Sequence, residues 1–195
     1  DAGPVPVPRP LRLATVCVGL PAFVRDGGEL VRTAIVKQPV AGPVAVRRLG
    51  LQGDGQADPE NHSGEFMAVY AYAADHYAAW RDELARDDLA HGRFGENLTV
   101  EGLDEARTFL GDRWRIGSAT FAVTQPRVPC FKLGIRMGDP GFVKRFGRSL
   151  RTGCYLRVLH EGTIEAGDAV ELEARGDPRV TIRDLFEALI LKKGH

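Results

Sequence analysis

Between one turn signal and the next, this chain leaves room for little more than a short strand. Its 23 glycines and 12 prolines are spread through 195 residues. The apolar and β-branched segments between them are brief: LRLATVCVG, VRTAIVKQ, VAVRRLGL, FMAVYAY, NLTV, RWRI, TFAVT, CYLRVLH and AVELEA. Segments this short, cut by Gly, Asp and Pro, predict a mainly β (α+β) fold, a barrel or sandwich in preference to repeated βαβ units. Asp26-Gly27-Gly28 lies between the first two segments and predicts a hairpin joining them.

Helical patterning interrupts the strands at two places. Asp75 is a candidate N-cap for a helix that places Tyr77, Trp80 and Leu84 on one stripe and Arg81, Asp82 and Glu83 opposite. Asp139-Pro140 is a second start signal, with Phe142, Val143 and Phe146 turned inward. After Gly176-Asp177-Pro178, the segment RVTIRDLFEALILKKGH predicts one amphipathic helix carrying Leu185, Leu189 and Phe186. That helix cannot form a core alone, so it must dock on the body, join a partner or begin a longer domain. The expected organisation is a flexible arm over residues 1–10, a β-barrel domain over 11–175, and a linker with an accessory helix over 176–195.

Charge and composition narrow the function classes. The 26 basic and 26 acidic side chains cancel, so no overall field favours nucleic acid or an anionic membrane. The start, DAGPVPVPRP, has no signal-peptide pattern, and no apolar run reaches membrane-spanning length. The expectation is a cytoplasmic protein acting on a small molecule, with no nucleic acid or membrane partner and oligomerisation left open. Cys17, Cys130 and Cys154 are odd in number and lack C-x-x-C spacing, which argues against a disulfide framework and a standard zinc site.

Cys130 differs from the other two in its surroundings. It follows Pro126-Arg127-Val128-Pro129, where two prolines stiffen the loop, and Arg127 and Lys132 flank it with positive charge. Such cations favour thiolate, the form that attacks electrophiles or binds a soft metal. A buried packing cysteine with solvated cations nearby explains the same spacing. For Cys17 and Cys154, core packing is the favoured reading. GDGQADPENHSG, residues 53–64, crowds Asp54, Asp58, Glu60, Asn61 and His62 into a long loop. His62 is a candidate acid/base or ligand, with a simple loop residue as the alternative. In RFGENLTV, Asn97 offers donors and acceptors to a polar ligand, while Glu96 reads as a base or a solvated turn carboxylate.

Taken in order, TAIVKQPV, GDGQAD with NHSG, FGENLTVEGL, GDRWRIG, TQPRVPCFKL and GTIEAGDAVEL resemble the MOSC family, in particular its stand-alone YiiM-like branch. The resemblance implies a largely antiparallel β-barrel with flanking helices, holding a molybdenum cofactor (molybdenum-pyranopterin) at its rim, and no pyridoxal phosphate. It implies that Cys130 is the family's essential cysteine, a molybdenum ligand or a sulfur carrier. Lys37, Arg127, Lys132 and Asn97 become candidates for holding the anionic cofactor, and His62 and Asn97 for orienting substrate or moving a proton. The implied activity is reduction of N-hydroxylated bases or amidoximes, with electrons from a separate reductase. The alternative is a sulfur-carrier, storage or transfer module for the cofactor. Where the family usually reads His-Gly-Gly with a basic residue three positions later, this chain reads His62-Ser63-Gly64 and then Met67, so a cation contact from this loop is not carried over.

Overall fold

The computed structural model describes residues 9–57 and 64–193. In chain order its strands are β1 (Arg12–Val18), β2 (Ala22–Asp26), β3 (Glu29–Thr33), β4 (Gln38–Pro39), β5 (Val44–Arg47), β6 (Gly50–Leu51), β7 (Val69–Ala73), β8 (Leu98–Glu101), β9 (Arg113–Ile116), β10 (Ala119–Pro126), β11 (Cys154–His160), β12 (Gly162–Ile164) and β13 (Val170–Ala174). The helices are α1 (Asp75–Leu84), α2 (Phe131–Met137), α3 (Phe142–Ser149) and α4 (Ile182–Lys193).

Eight strands form one sheet in the order β13-β9-β10-β11-β7-β8-β1-β4. Every pairing in it is antiparallel except β7 with β8. Those two run parallel because α1 lies between them, and parallel neighbours need a crossover. One βαβ unit is therefore present in a fold whose sequence favoured none. A three-stranded sheet, β12-β5-β6, and the β2-β3 hairpin stand beside the main sheet.

The closed barrel expected from the sequence is not what the main sheet forms. Its outer segments do approach each other: Leu13 and Val170 donate backbone N–H groups to Asp168 and Leu11, and Gly167 donates to Leu13. The facing segment is a turn, however, in which Asp168 accepts the Glu165 N–H at 2.8 Å, so a single Arg12–Ala169 bridge replaces a ladder. The predicted hairpin also has a different first strand. Its turn is at Gly27-Gly28, but β2 enters it, and β1 pairs instead with β8 and β4. Gly19-Leu20-Pro21 separates β1 from β2, and a Cβ at Gly19 would lie 2.1 Å from the Val36 carbonyl oxygen.

Side chains alternate across the sheet and build a core on each face. Val69, Ala71 and Ala73 of β7 belong to an aliphatic cluster with Leu98, Trp114, Phe121 and Leu156. Tyr70 and Tyr72 point the other way, into an aromatic cluster with Tyr77 and Trp80 of α1 and Phe142 and Phe146 of α3. Here the predicted inward faces of both helices hold. Rings of Trp80 and Phe146 stack at 6.1 Å between centroids. The tail docks on the body: Ile182 and Phe186 are buried, and Leu110 and Ile182 donate backbone N–H groups to Val180 and Thr108. No described helix is long and apolar enough to cross a membrane.

Candidate functional site

Strand β10 runs out at Pro126, and the chain then turns through Arg127, Val128 and Pro129 into α2. Cys130 is the extended N-cap of that helix, with φ −124° and ψ 173°, and its carbonyl accepts the Leu133 N–H at 3.0 Å. A rigid strand end, two prolines with fixed φ, and the first turn of a helix therefore hold the thiol between them. Helix α2 was not anticipated from sequence. Its stop signal was available at Gly138, which caps it at φ 70°.

The pocket beside this turn has a cavity volume of about 110 Å³, and its lining includes Cys130, Lys132, Arg127, Lys37 and Asn97. Five of the six candidate residues, drawn from segments far apart in sequence, thus meet in one place. His62 lies outside the described residues. The pocket continues past the turn at Asp54, Gly55 and Gln56, which also borders a second hollow lined by Arg47 and Leu49.

Lys37 and Asp54 form a nearly buried ion pair at 2.5 Å, with side-chain exposures of 7% and 8%. Asp54 is itself anchored: Oδ1 accepts the Gly19 N–H at 2.8 Å and Oδ2 accepts the Asn97 amide at 3.0 Å. Asn97 also donates to the Cys17 carbonyl and accepts the Tyr70 N–H. Both amide donors of Asn97 are thereby spent on the protein. Its place in the pocket is that of a bracket tying β1 and β7 to Asp54. The acidic loop residue that matters here, Asp54, was visible in sequence only as one carboxylate among several.

Arg127 is 5% exposed and its guanidinium is committed to the wall. It donates to the Phe94 carbonyl at 3.1 Å and sits over the Tyr70 and Phe146 rings at 5.1 and 5.4 Å. Its charge remains uncompensated by any carboxylate in those contacts, so it still contributes positive potential to the pocket.

The other candidates separate from this site. Burial pushes the Cys17 thiol up to about 12, and burial raises Cys154 as well. Both are buried, whereas Cys130 is partly accessible. Glu96 is not a solvated turn carboxylate. It is fully buried and accepts from Tyr77, Gly92, Phe94 and Thr99, while burial raises its pKa against those hydrogen bonds. It holds the 92–99 loop in shape.

The fold and site define a class: an α+β domain whose one partly accessible thiol, of three, lines a pocket together with Lys37, Arg127, Lys132 and Asp54. The chain belongs to the MOSC family, the MOSC domain matching residues 58–171. It is 39% identical over 85% of its length to the uncharacterised protein YflK of Bacillus subtilis, of which it covers 75%. It is 37% identical over 91% of its length to a Gibberella moniliformis protein named "Reductase", but spans only 32% of that relative. Against YiiM of Escherichia coli it is 33% identical over 73% of its length, and covers 65% of that protein. Among solved structures, YiiM from Geobacillus stearothermophilus superposes with a TM-score of 0.77 at 32% identity, covering 95% of this chain and 87% of the other.

Proposed function

We propose that this protein is a molybdenum-cofactor-dependent reductase that converts N-hydroxylated bases or amidoximes to the corresponding amines and amidines. The observation that carries this reading is the convergence of Cys130, Lys132 and Lys37 on one pocket. Among the described residues no group of three His, Cys, Asp or Glu side chains could hold a metal. A lone soft donor fits a metal whose remaining ligands come with its own organic cofactor, and suits zinc poorly. The residues present therefore fit the group that the family implies.

In that role Cys130 is the protein's ligand, and when bound the cofactor supplies the two-electron redox chemistry. The chain's own contribution is binding, charge and shape. Lys132 would offer its ammonium to an anionic cofactor ending in phosphate, and Lys37, its charge already balanced by Asp54, would add only its remaining N–H donors. Arg127 adds positive potential from within the wall, to which Tyr70, Tyr155 and Met67 also belong. The net reaction, R–NHOH + 2e⁻ + 2H⁺ → R–NH₂ + H₂O, takes its electrons from a separate reductase protein. The relative named "Reductase" supports this class of activity.

Molybdenum and pterin analysis of protein from a cofactor-competent host tests the reading. Wild type, Cys17→Ser and Cys154→Ser should retain molybdenum at up to about one per chain, since one such thiol is present, and Cys130→Ser should lose it. Equal retention in folded Cys130→Ser removes the proposal. A cyanide-labile sulfur on Cys130 without molybdenum would assign the sulfur-carrier role instead.

A further inference from the structure

The chain has four tyrosines, and three of them have hydroxyls engaged within the protein. Tyr70 donates to the Thr152 carbonyl at 2.6 Å, Tyr77 donates to Glu96 at 2.5 Å, and Tyr72 accepts from the Trp80 indole at 2.8 Å. Tyr155 is different. It lines the Cys130 pocket, its ring packs 5.3 Å from that of Tyr70, and among the described residues its hydroxyl has no hydrogen-bond partner. A tyrosine in such a setting ordinarily presents its polar end to solvent or a ligand while its ring stays packed.

The placement is rigid. Tyr155 lies inside β11, paired on one side with Gln125 and on the other with Tyr70, and its carbonyl accepts the Thr124 hydroxyl at 3.1 Å. A phenolic O–H is both donor and acceptor, so from this fixed position it can donate to a ligand oxygen. A group this well fixed is suited to reading one atom of a ligand.

We propose that the Tyr155 hydroxyl donates a hydrogen bond to the oxygen of an N-hydroxylated substrate in the Cys130 pocket, an assignment that rests on the reductase reading above. The oxygen is what separates substrate from product. The amine or amidine has lost that acceptor, so the same contact favours substrate entry and product release. The ring wall of Tyr155 and Tyr70 beside it suits a flat, conjugated substrate such as an aryl amidoxime.

The test compares benzamidoxime with benzamidine, by calorimetric affinity, on the cofactor-loaded full chain. Wild type should prefer benzamidoxime. Tyr155→Phe, which keeps the ring, should weaken benzamidoxime by about 3- to 10-fold, the usual worth of one neutral hydrogen bond, and leave benzamidine unchanged. Molybdenum content and melting temperature should match wild type. Tyr77→Phe serves as a control for loss of an internal hydroxyl: it should lower the melting temperature and keep the preference. An unaltered preference in Tyr155→Phe overturns the assignment, as does equal weakening of both ligands. Loss of molybdenum in that variant overturns it too, by making Tyr155 a cofactor contact. If loaded wild type neither binds nor reduces benzamidoxime, the reductase reading fails and the assignment fails with it.

Discussion

A lysine ammonium at 7% side-chain exposure cannot rely on water for compensation, and Lys37 obtains it from Asp54. Removing one partner of such a pair leaves a charge buried, which typically costs about 3–5 kcal/mol, whereas replacing both with apolar groups is often neutral. Asp54→Ala should therefore lower unfolding free energy in urea by about 3–5 kcal/mol, while Lys37→Met combined with Asp54→Leu should recover most of it. A small effect of Asp54→Ala would mean that the pair is wetter than its burial indicates. Asn97 shows the limit of reading a site residue from sequence. Its GENL context singled it out and it does line the Cys130 pocket, but a side chain's chemical capacity says nothing of where that capacity is used. Here it is used on Cys17, Tyr70 and Asp54.

At the scale of elements, the stripe signals that locate α1 and α3 are local, and so they could be read. The expected caps were displaced: Ala74 rather than Asp75 precedes α1 and Gly141 precedes α3, neither with a side-chain cap hydrogen bond. Tyr77, Trp80, Phe142 and Phe146 are buried as their spacing requires. Pairing partners were not legible, because the ladder between β1 and β8 joins residues more than eighty positions apart and depends on which face of the sheet each strand must cover. Helix α2 escaped notice for the opposite reason: seven residues, one of them Gly134, give too short a pattern to distinguish from loop. The tail helix α4 was legible as a helix, but its weight in the core was not. Ile182 is wholly buried in the aliphatic cluster and Phe186 is 2% exposed, while Ile190 is 43% exposed. Phe186→Ala should accordingly destabilise by about 3–5 kcal/mol, and Ile190→Ala by less than about 1 kcal/mol. Thermal unfolding of the two variants measures the contrast. Similar small losses would make α4 an appendage, separable from the body at the Gly176–Pro178 punctuation.

For the molecule as a whole, the decisive feature is that one sheet carries both cores. Strand β7 contributes Val69, Ala71 and Ala73 to the aliphatic side and Tyr70 and Tyr72 to the aromatic side, so neither cluster can come apart without exposing strands that the other needs. The pocket with Cys130 depends on both. Its wall takes Tyr70 and Tyr155 from the aromatic face, and Asn97, beside Leu98 of the aliphatic cluster, braces Asp54. Cooperative loss of both cores in a single step follows from the shared strand, the behaviour usual for single domains under about 150 residues and expected to extend to this longer chain. The chain's two tryptophans report it, since Trp114 belongs to the aliphatic cluster and Trp80 to the aromatic one. In Trp80→Phe, fluorescence follows Trp114 alone; in Trp114→Phe, it follows Trp80 alone. Within each variant the urea midpoint from fluorescence should coincide with that from far-ultraviolet circular dichroism. A Trp80 transition that precedes loss of strand signal would show the aromatic layer and α3 releasing first, and the Cys130 pocket would then open before the sheet unfolds.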